Sequence, residues 1–94
     1  MTYEDLAKTF NILSAHQPNC IVMDWTYTDV WGIDLSSFDL LPSEIRMIAE
    51  MGWGLEPDSD YDKDVMLAWI HPESHTDEEI LEVFNKYKSI YKYA

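Results

Sequence analysis

Leu40-Leu41-Pro42-Ser43-Glu44-Ile45-Arg46-Met47-Ile48-Ala49-Glu50-Met51-Gly52-Trp53 precedes an acidic segment over residues 56–64 and the apolar run Val65-Met66-Leu67-Ala68-Trp69-Ile70. These three pieces decide the architecture. Pro42 pre-sets the helical φ at a first turn, and Glu44 sits near the positive end of the helix dipole. Gly52 is a natural left-handed stop. Ile45, Ile48 and Ala49 share one face, which predicts packing against a sheet. The run over 65–70 is apolar on both of its faces, which predicts a strand covered from both sides.

Upstream, Thr2 with Asp5 three residues on is a weak form of the capping box, and Leu6, Phe10 and Leu13 recur at i, i+4, i+7. This predicts a packing helix, ended by Pro18, with His16 as a helix-end residue. Residues 20–25 and 30–35 alternate as strands do, and the short polar link Thr26-Tyr27-Thr28-Asp29 suits a hairpin. Gly32 within the second strand predicts a bulge or a close backbone approach. Downstream, Thr76-Asp77-Glu78-Glu79 is a full capping box. Ile80, Phe84, Tyr87 and Tyr91 then form a helical stripe, and Lys86, Lys88 and Lys92 fall towards the negative C-terminal end. The expected fold is α+β in the order α-β-β-α-β-α, with a small, three-stranded, mainly antiparallel sheet in a single compact domain over residues 1–94.

The chain has 94 residues, 47% of them hydrophobic, with four Trp and six Tyr, so it can build a core without staples. Its lone Cys20 can form no intrachain disulfide and reads as a buried thiol in a reducing compartment. The acidic, polar start predicts no signal peptide, and no apolar run approaches the length of a membrane span. A cytoplasmic location is expected.

Charge is the most unusual property. Eighteen acids face six bases, for a formal charge of −12, and three of the bases are Lys86, Lys88 and Lys92. Such an excess argues against direct binding to nucleic acid or to an anionic membrane, and favours a basic partner.

Candidate chemistry is thin by comparison. Asp58, Asp60, Asp62 and Asp64 alternate like the start of a calcium loop, but Lys63 and Trp69 stand where an EF-hand needs Gly and a bidentate Glu. His71 and His75 lie in a Pro-containing loop without the further ligands that zinc requires. No metal or cofactor is expected. There is no phosphate loop, no serine elbow and no activated Cys, and among eighteen acids any carboxylate pair is uninformative. A non-enzymatic binding role is therefore expected.

The order of helix, hairpin, Pro-led helix, Met51-Gly52-Trp53, acidic turn and apolar Trp-bearing segment resembles small accessory proteins encoded by bacteriophages and other mobile elements. The resemblance spans roughly residues 30–70. The chain departs from that pattern in having Leu41 where a Ser, Thr or Asp cap is usual, and in an added C-terminal helix. It implies a class that includes acidic anti-defence inhibitors, anti-CRISPR proteins and DNA mimics, acting in the host cytoplasm.

Mimicry can be tested by spacing. An extended Asp58-Asp60-Asp62-Asp64 segment presents charges about 6 to 7 Å apart at a rise of roughly 3.3 Å per residue. One DNA strand presents a charge about every 3.4 Å of axis. The segment supplies about half that density, so an acidic face needs Asp24 and Asp34 outward on the hairpin, Asp29 at its turn, or Glu44 and Glu50 on the middle helix. The expected site is Glu56, Asp58, Asp60, Asp62 and Asp64 for charge pairing, Tyr61 as an aromatic anchor, and Asp24, Asp29 and Asp34 beside them, all engaging a basic surface of a host protein. The alternatives are a self-associating accessory protein, a homodimer whose face includes Tyr87, Tyr91 and Tyr93, or a small metal-dependent enzyme.

Overall fold

The computed structural model describes residues 2–18, 25–27, 30–56 and 63–93, with the side chains of 25–27, 30–31, 63–65 and 93 excepted. In chain order the elements are α1 (Tyr3–His16), β1 (Trp25–Tyr27), β2 (Val30–Asp34), α2 (Pro42–Glu50), β3 (Gly54–Leu55), α3 (Lys63–Ile70), a 3-10 turn (Pro72–Ser74), α4 (Asp77–Tyr87) and β4 (Ser89–Tyr93). The fold is α+β. The antiparallel sheet has the order β1-β2-β4-β3, so the final strand occupies an interior position between β2 and β3.

Local signals explain most of these boundaries. The Thr2 hydroxyl accepts from the Asp5 amide while the Asp5 carboxylate accepts from the Thr2 amide, which completes the capping box. At α2, Leu41 contributes no side-chain cap, and the Glu44 carboxylate accepts from the Leu41 amide at 2.8 Å in its place. The helix stops where expected, with Gly52 at φ 93°. In the hairpin, Tyr27 pairs with Val30, so Thr26 and Tyr27 belong to β1 rather than to the turn. Gly32 pairs with both Trp25 and Tyr91 in unbroken registers, so of the bulge or close backbone approach expected there, the bulge is absent.

Two expectations are corrected. Residues 65–70 form the last six of the eight residues of α3 rather than a strand. Ala68 and Trp69 are buried while Leu67 and Ile70 are exposed, whereas a strand would put Leu67 and Trp69 on one face. A six-residue apolar run carries no period to separate the two states, and Met, Leu and Ala favour the helix. The second correction is at the C-terminal helix, which ends at Tyr87. Lys88, at φ 51°, turns the chain directly into β4, so Tyr91 and Lys92 belong to the sheet. A left-handed Lys lacks the glycine signature that would have marked the turn. Because residues 65–70 are helical, the sheet's third and fourth strands come from Gly54–Leu55 and Ser89–Tyr93.

The core lies between the sheet and helices α2, α3 and α4, and includes Ile33, Leu35, Ile45, Ile48, Trp53, Leu55, Trp69, Ile80, Phe84 and Ile90. Its polar groups are satisfied in a chain of bonds. The Trp69 indole donates to the Trp53 carbonyl at 2.6 Å, the Trp53 indole donates to the Thr9 hydroxyl at 3.0 Å, and that hydroxyl donates to the Asp5 carbonyl at 2.9 Å. Thr9, fully buried, thereby joins α1 to the α2–β3 corner. Gly54 admits the Tyr91 ring, since a Cβ there would lie 2.9 Å from its Cζ.

Candidate partner-binding surface

Acids outnumber bases among the exposed, described side chains. Asp34, Asp39, Glu50, Glu56, Glu73, Asp77, Glu78, Glu79 and Glu82 are exposed. Among the described residues the ion pairs are Lys8–Glu4, His16–Glu44, Arg46–Asp77 and His71–Glu73, and no base comes within 4.0 Å of Asp39, Glu50, Glu56, Glu78 or Glu82. On α4, Glu78 and Glu82 stand one turn apart as like charges, a mildly destabilising arrangement in an isolated helix.

The expected site residues divide into two sets. Glu56 is exposed immediately after β3, where its amide donates to the Ser89 carbonyl at 2.9 Å. Asp34 is exposed opposite Ile33 and Leu35, as the alternation required, and its carboxylate accepts from the Ser36 amide at 2.9 Å. Asp24, Asp29, Asp58, Asp60, Tyr61 and Asp62 lie outside the described residues, as does the Asp64 side chain.

Glu44, expected on the exposed side of α2, is withdrawn from any acidic face. Both of its oxygens lie 2.9 Å from His16 Nε2, and its side chain retains 20% of its exposure. Burial pushes its carboxyl up, but the bond from the Leu41 amide and the contact with His16 outweigh that and hold it below its ordinary value. Glu79 is also held low, by the Thr76 amide and hydroxyl. These two carboxylates are committed to helix starts. Arg46 is likewise structural: it reaches the carbonyls of Pro72 and His75 and the Asp77 carboxylate, tying α2 to the loop that launches α4.

The three Tyr residues offered for a homodimer face fall in two elements. Tyr87 ends α4 while Tyr91 and Tyr93 lie in β4, and Tyr91 packs over Gly54. The His71 and His75 side chains do not converge: His75 Nδ1 is 3.0 Å from the His71 carbonyl, and His71 Nδ1 is 3.8 Å from Glu73. Among the described residues no three His, Cys, Asp or Glu side chains are grouped as a metal site requires, and no helix is long and apolar enough to cross a membrane.

Sequence reasoning missed one surface feature. The α3 residues Leu67 and Ile70 are 51% and 59% exposed, although neighbouring Ala68 and Trp69 are buried. The signal was present as an unbroken apolar run, but reading it as a strand placed both residues inside.

No protein family, curated protein or solved structure matches the chain. The Trp-bearing strand expected from the sequence is helix α3 in the structure.

Proposed function

We propose that this chain is a non-enzymatic binding protein whose acidic surface engages a basic surface of another protein. The observation that carries the reading is a formal charge of −12 together with exposed acids that lack a basic partner at ion-pair distance among the described residues. Unneutralised charge of this size destabilises the compact chain by self-repulsion, and a basic partner relieves it. It also accelerates encounter with that partner and sets its orientation.

The natural occupant is a groove that ordinarily accepts nucleic acid, because such grooves present clustered Lys and Arg. The resemblance to mobile-element accessory proteins makes a host defence complex the first class of partner to test. Glu56 and the aspartates of 58–64, with Asp34, are the proposed contact residues.

The test is capture on the tagged chain from a bacterial lysate, in parallel with a variant carrying Asp58→Lys, Asp60→Lys and Asp62→Lys. A nucleic-acid-binding complex retained by the wild type in low salt, released as salt rises and not retained by the variant is the expected result. Equal retention by both proteins at low salt would overturn the assignment of the site.

A further inference from the structure

Helix α1 is joined to the fold differently from the other three helices. Among the buried hydrophobic residues described, Leu13 is the single one from α1; the others lie in the sheet, in α2, α3 and α4, and in the segment leading into α2. Leu6, Phe10 and Ile12 are only partly buried against that core. Polar contacts supply the remaining attachment. The Trp53 indole donates to the Thr9 hydroxyl at 3.0 Å in the middle of α1, His16 Nε2 meets both Glu44 oxygens at 2.9 Å at its end, and the Gln17 amide donates to the Ser37 carbonyl at 3.1 Å just beyond. Most of the core is thus assembled without α1, and a segment with few buried apolar groups opens at a lower free energy than the core beneath it.

One of these three contacts titrates. Histidine is the side chain whose charge ordinarily changes between about pH 5 and 8. Charged, the His16 ring forms an ion pair with Glu44; neutral, it offers one N–H donor and no charge. Among the described residues no other acid lies within 4.0 Å of that ring. Glu4, Asp5 and Lys8, the other charged groups of α1, stand more than two turns away. The segment leading into α2 carries Asp39, and α2 carries Glu50 and Arg46, whose guanidinium is engaged by Pro72, His75 and Asp77. The ion pair is present at mildly acid pH and is lost as pH rises through the histidine range. On the acid side it is lost as pH falls through the folded Glu44 value, below 4.5.

We propose that α1 is a strap held by the His16–Glu44 ion pair, docked most firmly at about pH 5 to 6 and released more often above neutrality. Opening withdraws the Thr9 hydroxyl from the Trp53 indole and from the Met51 thioether, 3.7 Å away. The strap goes beyond the acidic-binding reading and does not depend on it.

Two indoles read the opening separately. The Trp53 N–H is bonded to α1, whereas the Trp69 N–H is bonded to the Trp53 carbonyl inside the core. The test is hydrogen exchange of both indole N–H groups by NMR on the full chain, between pH 5.5 and 8, expressed as protection relative to free indole. Trp53 is expected to be less protected than Trp69 throughout. Its protection falls about threefold to fivefold as pH rises, the effect of a modest ion pair, while that of Trp69 stays level. In His16→Gln, which keeps an N–H donor without the charge, the pH dependence at Trp53 disappears. His71→Gln, at a histidine paired with Glu73, leaves it intact. Glu44→Gln serves if His16→Gln does not fold, with the same loss expected.

Equal protection of the two indoles at every pH would mean that α1 opens only with the core, and overturns the strap. A Trp53 protection that is level with pH, or a pH dependence that survives His16→Gln or Glu44→Gln, overturns the ion pair as its latch.

Discussion

Helices α3 and α4 pack against each other and against the same sheet, yet they are held in place by different means. In α4, Thr76 and Glu79 close a reciprocal cap, acids fill the first turn, and Ile80, Val83 and Phe84 form a single buried stripe. Its start is encoded locally. In α3 apolar residues stand on both sides, Leu67 and Ile70 exposed and Ala68 and Trp69 buried, and Trp69 ties the element to the rest of the fold. The difference shows that a helix can be specified by its own ends or by its neighbours, and that only the first kind declares its type in a short window of sequence.

The sharpest way to break this comparison is Trp69→Ala. It removes a 3% exposed side chain and its hydrogen bond to Trp53, and is expected to cost about 3–5 kcal/mol. Leu67→Ser, two residues away on the exposed side, is expected to change stability by about 0.5 kcal/mol or less. Urea unfolding of both variants separates a helix from a strand at 65–70, since a strand would couple the two residues on one face. Comparable losses in both would refute the helical register.

Thr76→Ala tests the local encoding of α4. Loss of the cap is expected to lower stability by about 1 kcal/mol, with the helix retained by its packing and circular dichroism little changed. A change within experimental error would mean that α4, like α3, is held by its neighbours.

Lys88→Gly acts at the end of the same helix. A side chain in the left-handed region costs roughly 1–2 kcal/mol, part of which Gly returns through its greater freedom in the unfolded chain. A net gain of about 0.5–1 kcal/mol is expected, read as a higher melting temperature. A loss would show that the Lys88 side chain contributes contacts exceeding its backbone strain.

The smallest effect concerns the start of α2. Glu44 has its folded pKa depressed below 4.5, so the contribution of its bonds to Leu41 and His16 is present above that pH and is lost as pH falls through the folded value. The wild type is expected to exceed Glu44→Gln in stability by about 1 kcal/mol or less near neutrality, with the difference closing below pH 4.5. A difference that persists unchanged at pH 3 would remove the carboxylate from the explanation.

What could be read from sequence follows the same division. The Thr2–Asp5 box, the Pro42–Gly52 helix, the outward Asp34 and the Thr76–Glu79 start all rest on contacts within a few residues, and each stands in the structure. The α3 run failed because its identity depends on Trp53, forty-four residues from Thr9, which completes the same bonded chain. The change from helix to strand at Lys88 failed because nothing local marks a left-handed Lys. What requires it is the open edge of β2, where the Leu35 amide donates to the Lys88 carbonyl at 2.8 Å. The acidic character was legible from composition, but composition does not show which acids are committed: Glu44 serves a helix start while Glu56 stands free in solvent.

The interior position of β4 has a consequence for the order of assembly. Ribosomal synthesis delivers β1, β2 and β3 before Ser89–Tyr93 exists, so both flanks of the sheet emerge while the strand that joins them is still unmade. Until then the inner edge of β2 and the single paired edge of β3 offer open backbone to any passing strand. Closure comes as one late event that zips two edges together, and a chain released before Ser89 would keep its two flanks but lose the only strand that unites them.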